Sequence, residues 1–315
     1  MKELGGYIEF EHFHGKMLHE DGIKLNCGRN CLAYLIEARN IRKIALPFFL
    51  CDSVKDVCKR YDLDVVFYHI DEQMHPLYEK DCSDRYVYLV NYYGQLDLNC
   101  LNNYKKKYNS LILDNAQAYF SKPVNGIDTL YTCRKFFGVS DGGILFTDSV
   151  LDKELQIDVS SERMHFLLGR FEGNASDHYN EYVENNELFE TEPIKEMSLL
   201  TENLLRSIDY SFIKNRRTEN YTYLMGKLSD TNLLTLEGID GAFAYPLLIK
   251  NGDLIRDKLI KKKIYIPKLW PNVNIKEGCS SLEQQLADDI LPIPCDQRYT
   301  LDEMDYIVNT IKELA

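Results

Sequence analysis

The chain contains no apolar stretch close to the roughly twenty residues that a helix needs to cross a bilayer. Its N-terminus shows neither an h-region nor a cleavage pattern, so a soluble, cytoplasmic protein with no membrane partner is expected. Paired cysteine spacing is also missing. Cys27, Cys31, Cys51, Cys58, Cys82, Cys100, Cys133, Cys279 and Cys295 make nine, an odd number with no CxxC. This argues against a disulfide framework or zinc ribbon and for reduced thiols. The seven histidines form no HxxxH or other ligand array, so no metal is expected, and His69, Asp71 and His75 read as solvent-facing turn residues. Basic charge is scarce: the net charge is −12, with acidic residues scattered throughout, which repels an extended phosphate backbone. The basic run Lys105-Lys106-Lys107 reads as the solvated end of a helix, and a single Trp supplies no stacking array. No nucleic-acid partner is therefore expected, and there is no internal repeat or low-complexity segment.

What is present suits a large α/β unit with a smaller second one. The chain has 315 residues, 45% of them apolar, enough for two cores. Strand-like runs at 44–46, 64–68, 85–90, 110–113 and 143–146 alternate with helical spacing at 29–38 and 54–61. By handedness and connection rules this pattern implies a mainly parallel central sheet with helices on both faces. From about Ser160 the pattern changes, and the charged stretch 174–195 reads as an excursion rather than core. Helical periodicity at 197–208 and 213–228 then suits a crossing into an α+β C-terminal unit, with further elements at 242–249, 254–262, 264–267 and 300–314. The expected division is residues 1–195, then 196–315.

The most informative feature is a pair of motifs. Leu111-Ile112-Leu113 closes on Asp114, followed by Asn115, Ala116 and Gln117; a short distance on stands Lys135, seven residues before Gly142-Gly143. An apolar run ending in Asp reads as a buried strand delivering a carboxylate at its C-terminal end, where open α/β sheets put their ligands. Such a carboxylate can keep a pyridine nitrogen protonated, and a nearby lysine can form a Schiff base, the two requirements of pyridoxal phosphate. Ala116, two residues beyond Asp114 on extended chain, points to the same side and can lie flat against the ring.

These residues resemble the DegT/DnrJ/EryC1/StrS aminotransferases, fold-type-I pyridoxal phosphate enzymes that mostly aminate nucleotide-linked keto-sugars. The likeness rests on the Asp-x-Ala-Gln motif at Asp114, on the lysine seven residues before a Gly-Gly pair, and on partial matches in the same order: 25–32 with Gly28, 47–49, 90–95 and 264–267. It implies Lys135 as the Schiff-base lysine and Asp114 as the ring-nitrogen partner, with Gln117 on the ring hydroxyl or the substrate side. The cofactor phosphate is then expected at the first helix N-terminus, held by Gly28, Arg29 and Asn30, because free amides and the helix dipole there favour an anion. Where the family usually has Ser before the lysine, Thr132 is the preferred substitute and Thr129 the second. Arg134 is a candidate for repelling a proton from Lys135. For the ring cover Phe48, Phe49 and Cys51 are the nearest candidates, with Phe49 carried forward.

The resemblance further implies glutamate as amino donor, a keto-sugar acceptor and a homodimer. Asn174 or Asn180 stands in for the family's cross-subunit Asn-x-Arg motif, which has no clean counterpart here. Lys268-Leu269-Trp270-Pro271 is a candidate lining of the sugar entrance. Two alternatives are a pyridoxal phosphate sugar dehydratase or lyase, whose branch typically replaces the lysine by histidine, and a catalytically inactive relative acting as a binding protein.

Overall fold

The computed structural model describes residues 4–79, 84–275 and 277–314; Cys82 lies outside them. In chain order the elements are β1 (Ile23–Leu25), α1 (Gly28–Ala38), β2 (Lys43–Pro47), α2 (Asp52–Arg60), β3 (Asp64–Ile70), β4 (Pro76–Leu77), β5 (Tyr86–Val90), α3 (Leu98–Lys107), β6 (Leu111–Asp114), β7 (Asp128–Thr132) and β8 (Gly143–Phe146). There follow α4 (His165–Glu172), α5 (Tyr179–Leu188), α6 (Leu199–Arg206), α7 (Tyr210–Leu228), β9 (Tyr245–Leu248), α8 (Gly252–Lys261), α9 (Ser281–Asp289), β10 (Ile290–Ile293) and α10 (Leu301–Leu314).

Eight strands form one sheet in the order β1-β8-β7-β6-β5-β2-β3-β4. The run β3-β2-β5-β6-β7 is parallel throughout, and β8, β1 and β4 join antiparallel at the edges. All four residues of β6 are buried. A strand covered on both faces needs a continuous apolar run rather than an alternating one, which is why Leu-Ile-Leu serves here and why Asp114 arrives at the C-terminal rim already desolvated.

β7 was not foreseen, because Asp128, Thr129 and Thr132 interrupt its apolar pattern, yet every residue is buried. The polar groups of Asp128 and Thr129 are satisfied in place: Arg39 pairs with the Asp128 carboxylate at 2.6 Å, and Thr129 donates to the Ile127 carbonyl at 3.1 Å. The stretch 174–195 also departs from expectation. It carries α5, and Asn185, Phe189 and Ile194 are buried, so this charged segment folds back onto the sheet. Residues 264–267 form no regular strand; Ile264 and Ile266 turn inward while Tyr265 stays exposed, an extended stretch with one apolar face.

Three apolar clusters fill the interior. One lies around the sheet, a second is built from α7, β9, α8, β10 and α10, and a third joins Tyr119, Tyr131, Phe136 and Phe137 to Leu205 and Ile213. Leu248, Trp270 and Ile290 belong to the first, so the C-terminal half packs into the sheet core as well as its own. Among the described residues no helix is long and apolar enough to cross a membrane.

Candidate active site

Asp114 accepts a hydrogen bond from the Ala116 amide at 2.8 Å and another from the Tyr88 hydroxyl at 2.8 Å. Burial pushes its pKa above the usual carboxylate value, while the Lys135 charge, the Ala116 amide and the Tyr88 hydroxyl work against that rise. The Lys135 ammonium is therefore close enough for its field to act on Asp114. Tyr88 was missed by sequence reasoning. It lies on β5 opposite Ile112, with Val90 opposite Asp114, which makes Tyr88 the diagonal neighbour of Asp114 on one face. A buried tyrosine hydroxyl seeks a partner, but only the order of strands reveals which one.

Gln117 is buried, and its side-chain oxygen accepts from the Tyr93 amide at 2.8 Å. Tyr93 has φ 53°, a left-handed conformation costly for a non-glycine residue, and this bond helps hold it. The Gln117 NH2 makes no hydrogen bond among the described residues, so it remains available to a ligand. Ala116 is half-buried beside it.

At the start of α1, Cys27 takes the cap position in extended conformation with no side-chain cap bond. The Asn30 and Cys31 amides both turn to the Cys27 carbonyl, and the Gly28 and Arg29 amides, as first-turn groups, have no helical acceptor. Burial pushes the Cys27 thiol up, against the Asn30 amide and the charges of Arg134 and Arg29; both guanidiniums therefore stand beside this N-terminus. Neither makes an ion pair with a carboxylate among the described residues. Their buried Nε atoms have no hydrogen-bond partner. A Cβ built on Gly28 would lie 3.7 Å from the Thr132 Cβ, an ordinary contact, so the glycine leaves open space next to Thr132 rather than relieving a clash. The Thr132 hydroxyl makes no hydrogen bond among the described residues, whereas Thr129 is engaged with Ile127.

The side chains of Arg29 and Asn30 are otherwise employed. Asn30 donates to the Asn26 side-chain oxygen at 2.9 Å and to the Pro193 carbonyl at 2.7 Å, and Arg29 donates to the Asn186 carbonyl at 3.2 Å. Arg134 also faces α5, donating to the Asn186 side-chain oxygen at 2.7 Å with its guanidinium 4.6 Å from the Phe189 ring centroid. Lys135 points elsewhere: it is exposed, with Nζ 5.6 Å from the Phe243 ring centroid. The two consecutive cations thus diverge, contrary to the idea that Arg134 repels a proton from Lys135.

Lys135 sits on a turn held from the C-terminal half. The carbonyl of the next residue, Phe136, accepts from Gln297 at 2.8 Å and from Arg217 at 3.3 Å. Arg217 is buried without a carboxylate partner among the described residues and is satisfied instead by Gln297 and the Ala242 carbonyl. Beyond the turn the glycine pair is sterically required. Gly142 has φ +116°, and a Cβ on Gly143 would approach the Cys27 carbonyl carbon to 2.6 Å, so any side chain would push β8 off the start of α1. Asp141 anchors the loop by accepting from the Ser198 amide and hydroxyl, both at 2.8 Å, and from the Thr201 hydroxyl.

Phe49 presents no free face to a ligand. It is 0% exposed, wedged between Trp270 at 4.4 Å and Tyr92 at 5.5 Å centroid to centroid. Apolar rings on a rim with this much core behind them gain more by burial than by covering a ligand, so Phe49 and Trp270 are packing residues. Phe48 stacks on His69 and Phe67. Cys51 is half-buried and shares a hydrogen bond of 2.9 Å with the Ser53 hydroxyl. Asn174 and Asn180 are both exposed. A groove of about 500 Å³ along the outer edge of β1, lined by Lys24, Tyr34, Leu151 and Glu202, contains none of these residues.

A desolvated carboxylate, a free amide, an unpartnered hydroxyl and an anion-seeking helix start are the kinds of group that a phosphorylated pyridine ring requires. No family model matches the sequence, and no curated protein does. Solved structures do. The sugar aminotransferase CalS13 from Micromonospora echinospora superposes with TM-score 0.59 at 15% identity, covering 92% of this chain and 86% of that one. A DegT DnrJ EryC1 StrS aminotransferase from Brucella abortus gives 0.61 at 15%, covering 93% and 85%. The E. coli GDP-4-keto-6-deoxy-D-mannose-3-dehydratase with bound hydrated PLP gives 0.62 at 16%, covering 92% and 87%. The chain has the fold of these solved structures, a mainly parallel eight-stranded sheet flanked by helices.

Proposed function

We propose that the chain is a pyridoxal phosphate-dependent sugar aminotransferase that moves an amino group from glutamate to a keto-sugar, nucleotide-linked by analogy with its structural neighbours. The observation that carries this reading is the buried Asp114 carboxylate at the end of β6, within the field of the Lys135 amine. When bound, the cofactor would supply an aldehyde that condenses with amines and a ring that draws electrons from the adjacent carbon. Asp114, steadied by Tyr88 and Ala116, would keep a proton on the ring nitrogen. The first-turn amides of α1 and the Thr132 hydroxyl would hold the phosphate, the nearby charges of Arg29 and Arg134 would add a favourable field while their side chains stay on α5, and Gln117 would offer its NH2 to the ring hydroxyl. Lys135 would carry the covalent attachment and then move the proton at the reacting carbon.

The dehydratase among the neighbours keeps a second reading open, and Lys135 argues against it, since the dehydratase branch typically has histidine there. The pure protein, loaded with cofactor, is expected to be yellow and to bleach with glutamate; a nucleotide-linked keto-sugar should restore the colour and gain an amine detectable by mass spectrometry. Colourless protein after reconstitution would favour the inactive-relative reading. A reducing, cytoplasmic setting is in keeping with the free thiols.

We further propose a homodimer, supported by exposed apolar side chains within one stretch of the sequence, Val159 at 74% and Phe171 at 92%, with Leu168 and Tyr179 between and after them. Light scattering should give twice the chain mass. A fully active monomer would contradict this.

A further inference from the structure

We propose that His165, His178 and Glu181 form a site for one divalent transition-metal ion of the zinc type. Their ligand atoms all lie within 4.8 Å of one another. The His165 Nδ1 is 2.7 Å from Glu181 Oε2, and the His178 Nδ1 is 3.6 Å from Glu181 Oε1. Ligands about 2.0–2.2 Å from a tetrahedral ion stand about 3.3–3.5 Å apart; each imidazole approaches a different Glu181 oxygen, and with one atom from each residue within 4.8 Å of the others, small side-chain shifts would bring the set to that spacing.

Two further features point to a ligand. The His178 Nδ1 is buried without a hydrogen-bond partner, and 3.6 Å is too long for a hydrogen bond to Glu181. A buried polar atom left unpaired is rare enough to need a reason. The ring is also given space, since a Cβ on Gly169 of α4 would lie 2.3 Å from its Cε1 and Nε2 atoms. Without a side chain at 169, His178 can lie against α4, its ring crossing that of His165 at 82° with centroids 5.2 Å apart.

Two imidazoles and a carboxylate suit zinc and its neighbours, whereas calcium and magnesium prefer oxygen-only sets. An ion here would clamp α4 to α5. The same helix α5 supplies the Asn185 amide that donates to the Ser140 carbonyl at 2.8 Å, and Asn186, which receives Arg134. The clamp would thus steady the element that packs on the lysine loop.

The test is a calorimetric zinc titration of the full-length, cofactor-loaded protein after chelator dialysis, with elemental analysis of the dialysed complex. One zinc per chain is expected, together with a rise in unfolding temperature. His178→Ala and His165→Ala should each abolish this stoichiometric binding, while His75→Ala should leave it unchanged. Gly169→Ala removes no ligand but should weaken binding by displacing the His178 ring; circular dichroism would establish that each variant is folded. Absence of stoichiometric zinc would reduce the cluster to a hydrogen-bonded His–Glu pair and overturn the proposal. Equal binding by parent, His178→Ala and His165→Ala would do the same, by assigning the ion to thiols.

Discussion

Lys135→Ala is expected to abolish amino transfer while leaving the protein folded and able to bind pyridoxal phosphate non-covalently. The side chain is exposed, and its contact in the structure is with the Phe243 ring. Losing an exposed cation–π contact costs about 0.5–1 kcal/mol, small against the stability of a domain. The turn itself would persist, because Arg217 and Gln297 grip the Phe136 backbone carbonyl rather than the lysine. Loss of a positioned proton-transfer group lowers rates by on the order of a hundredfold to ten-thousandfold, and loss of the covalent attachment adds to that. Borohydride reduction followed by peptide mapping should label the parent at Lys135 and leave the variant unlabelled. A label at another lysine in the parent would move the site and sink this assignment.

Asp114→Asn should lower turnover by a comparable factor, on the order of a hundredfold to ten-thousandfold, for a different reason. An amide has no negative charge with which to hold a proton on the pyridine nitrogen, although it still fits between the Ala116 amide and the Tyr88 hydroxyl, which can rotate to accept. The stability effect has the opposite sign. Burial raises the Asp114 pKa in the cofactor-free protein, so the folded state favours the protonated acid more than the unfolded chain does. That contribution is fully present below the unfolded pKa and is lost as pH rises through the folded value. Cofactor-free Asp114→Asn should therefore be at least as stable as the parent near neutral pH, with the difference disappearing at about pH 3, below the ordinary carboxylate pKa. Denaturant melts of both proteins at the two pH values check this. A variant clearly less stable than its parent at neutral pH would mean that Asp114 is held charged by partners, not pushed toward neutrality.

The local framework around Asp114 and Lys135 could be read along the chain. Asp114 and Lys135 were legible because their signals are local: an apolar run that must be a buried strand, an acid at its rim, and a lysine at fixed distance from two glycines that the start of α1 crowds. The strands β2, β5, β6 and β8 showed for the same reason, since each is a short, largely buried apolar run, and half-buried β3 showed through its β-branched and aromatic residues.

Other residues became visible only in three dimensions. Tyr88 meets Asp114 because β5 lies beside β6; Arg217 and Gln297 reach the lysine turn from far down the sequence; and Phe49 is enclosed by Trp270, which no local pattern could announce. His178 and Glu181 stand three residues apart, but His165 joins them only because α4 packs on α5. Periodicity and strand-end chemistry, which act between near neighbours, were thus set by the amino-acid order alone. Burial, side-chain partnership and the direction of each charge depend on which distant segments pack together, and tertiary structure decided those.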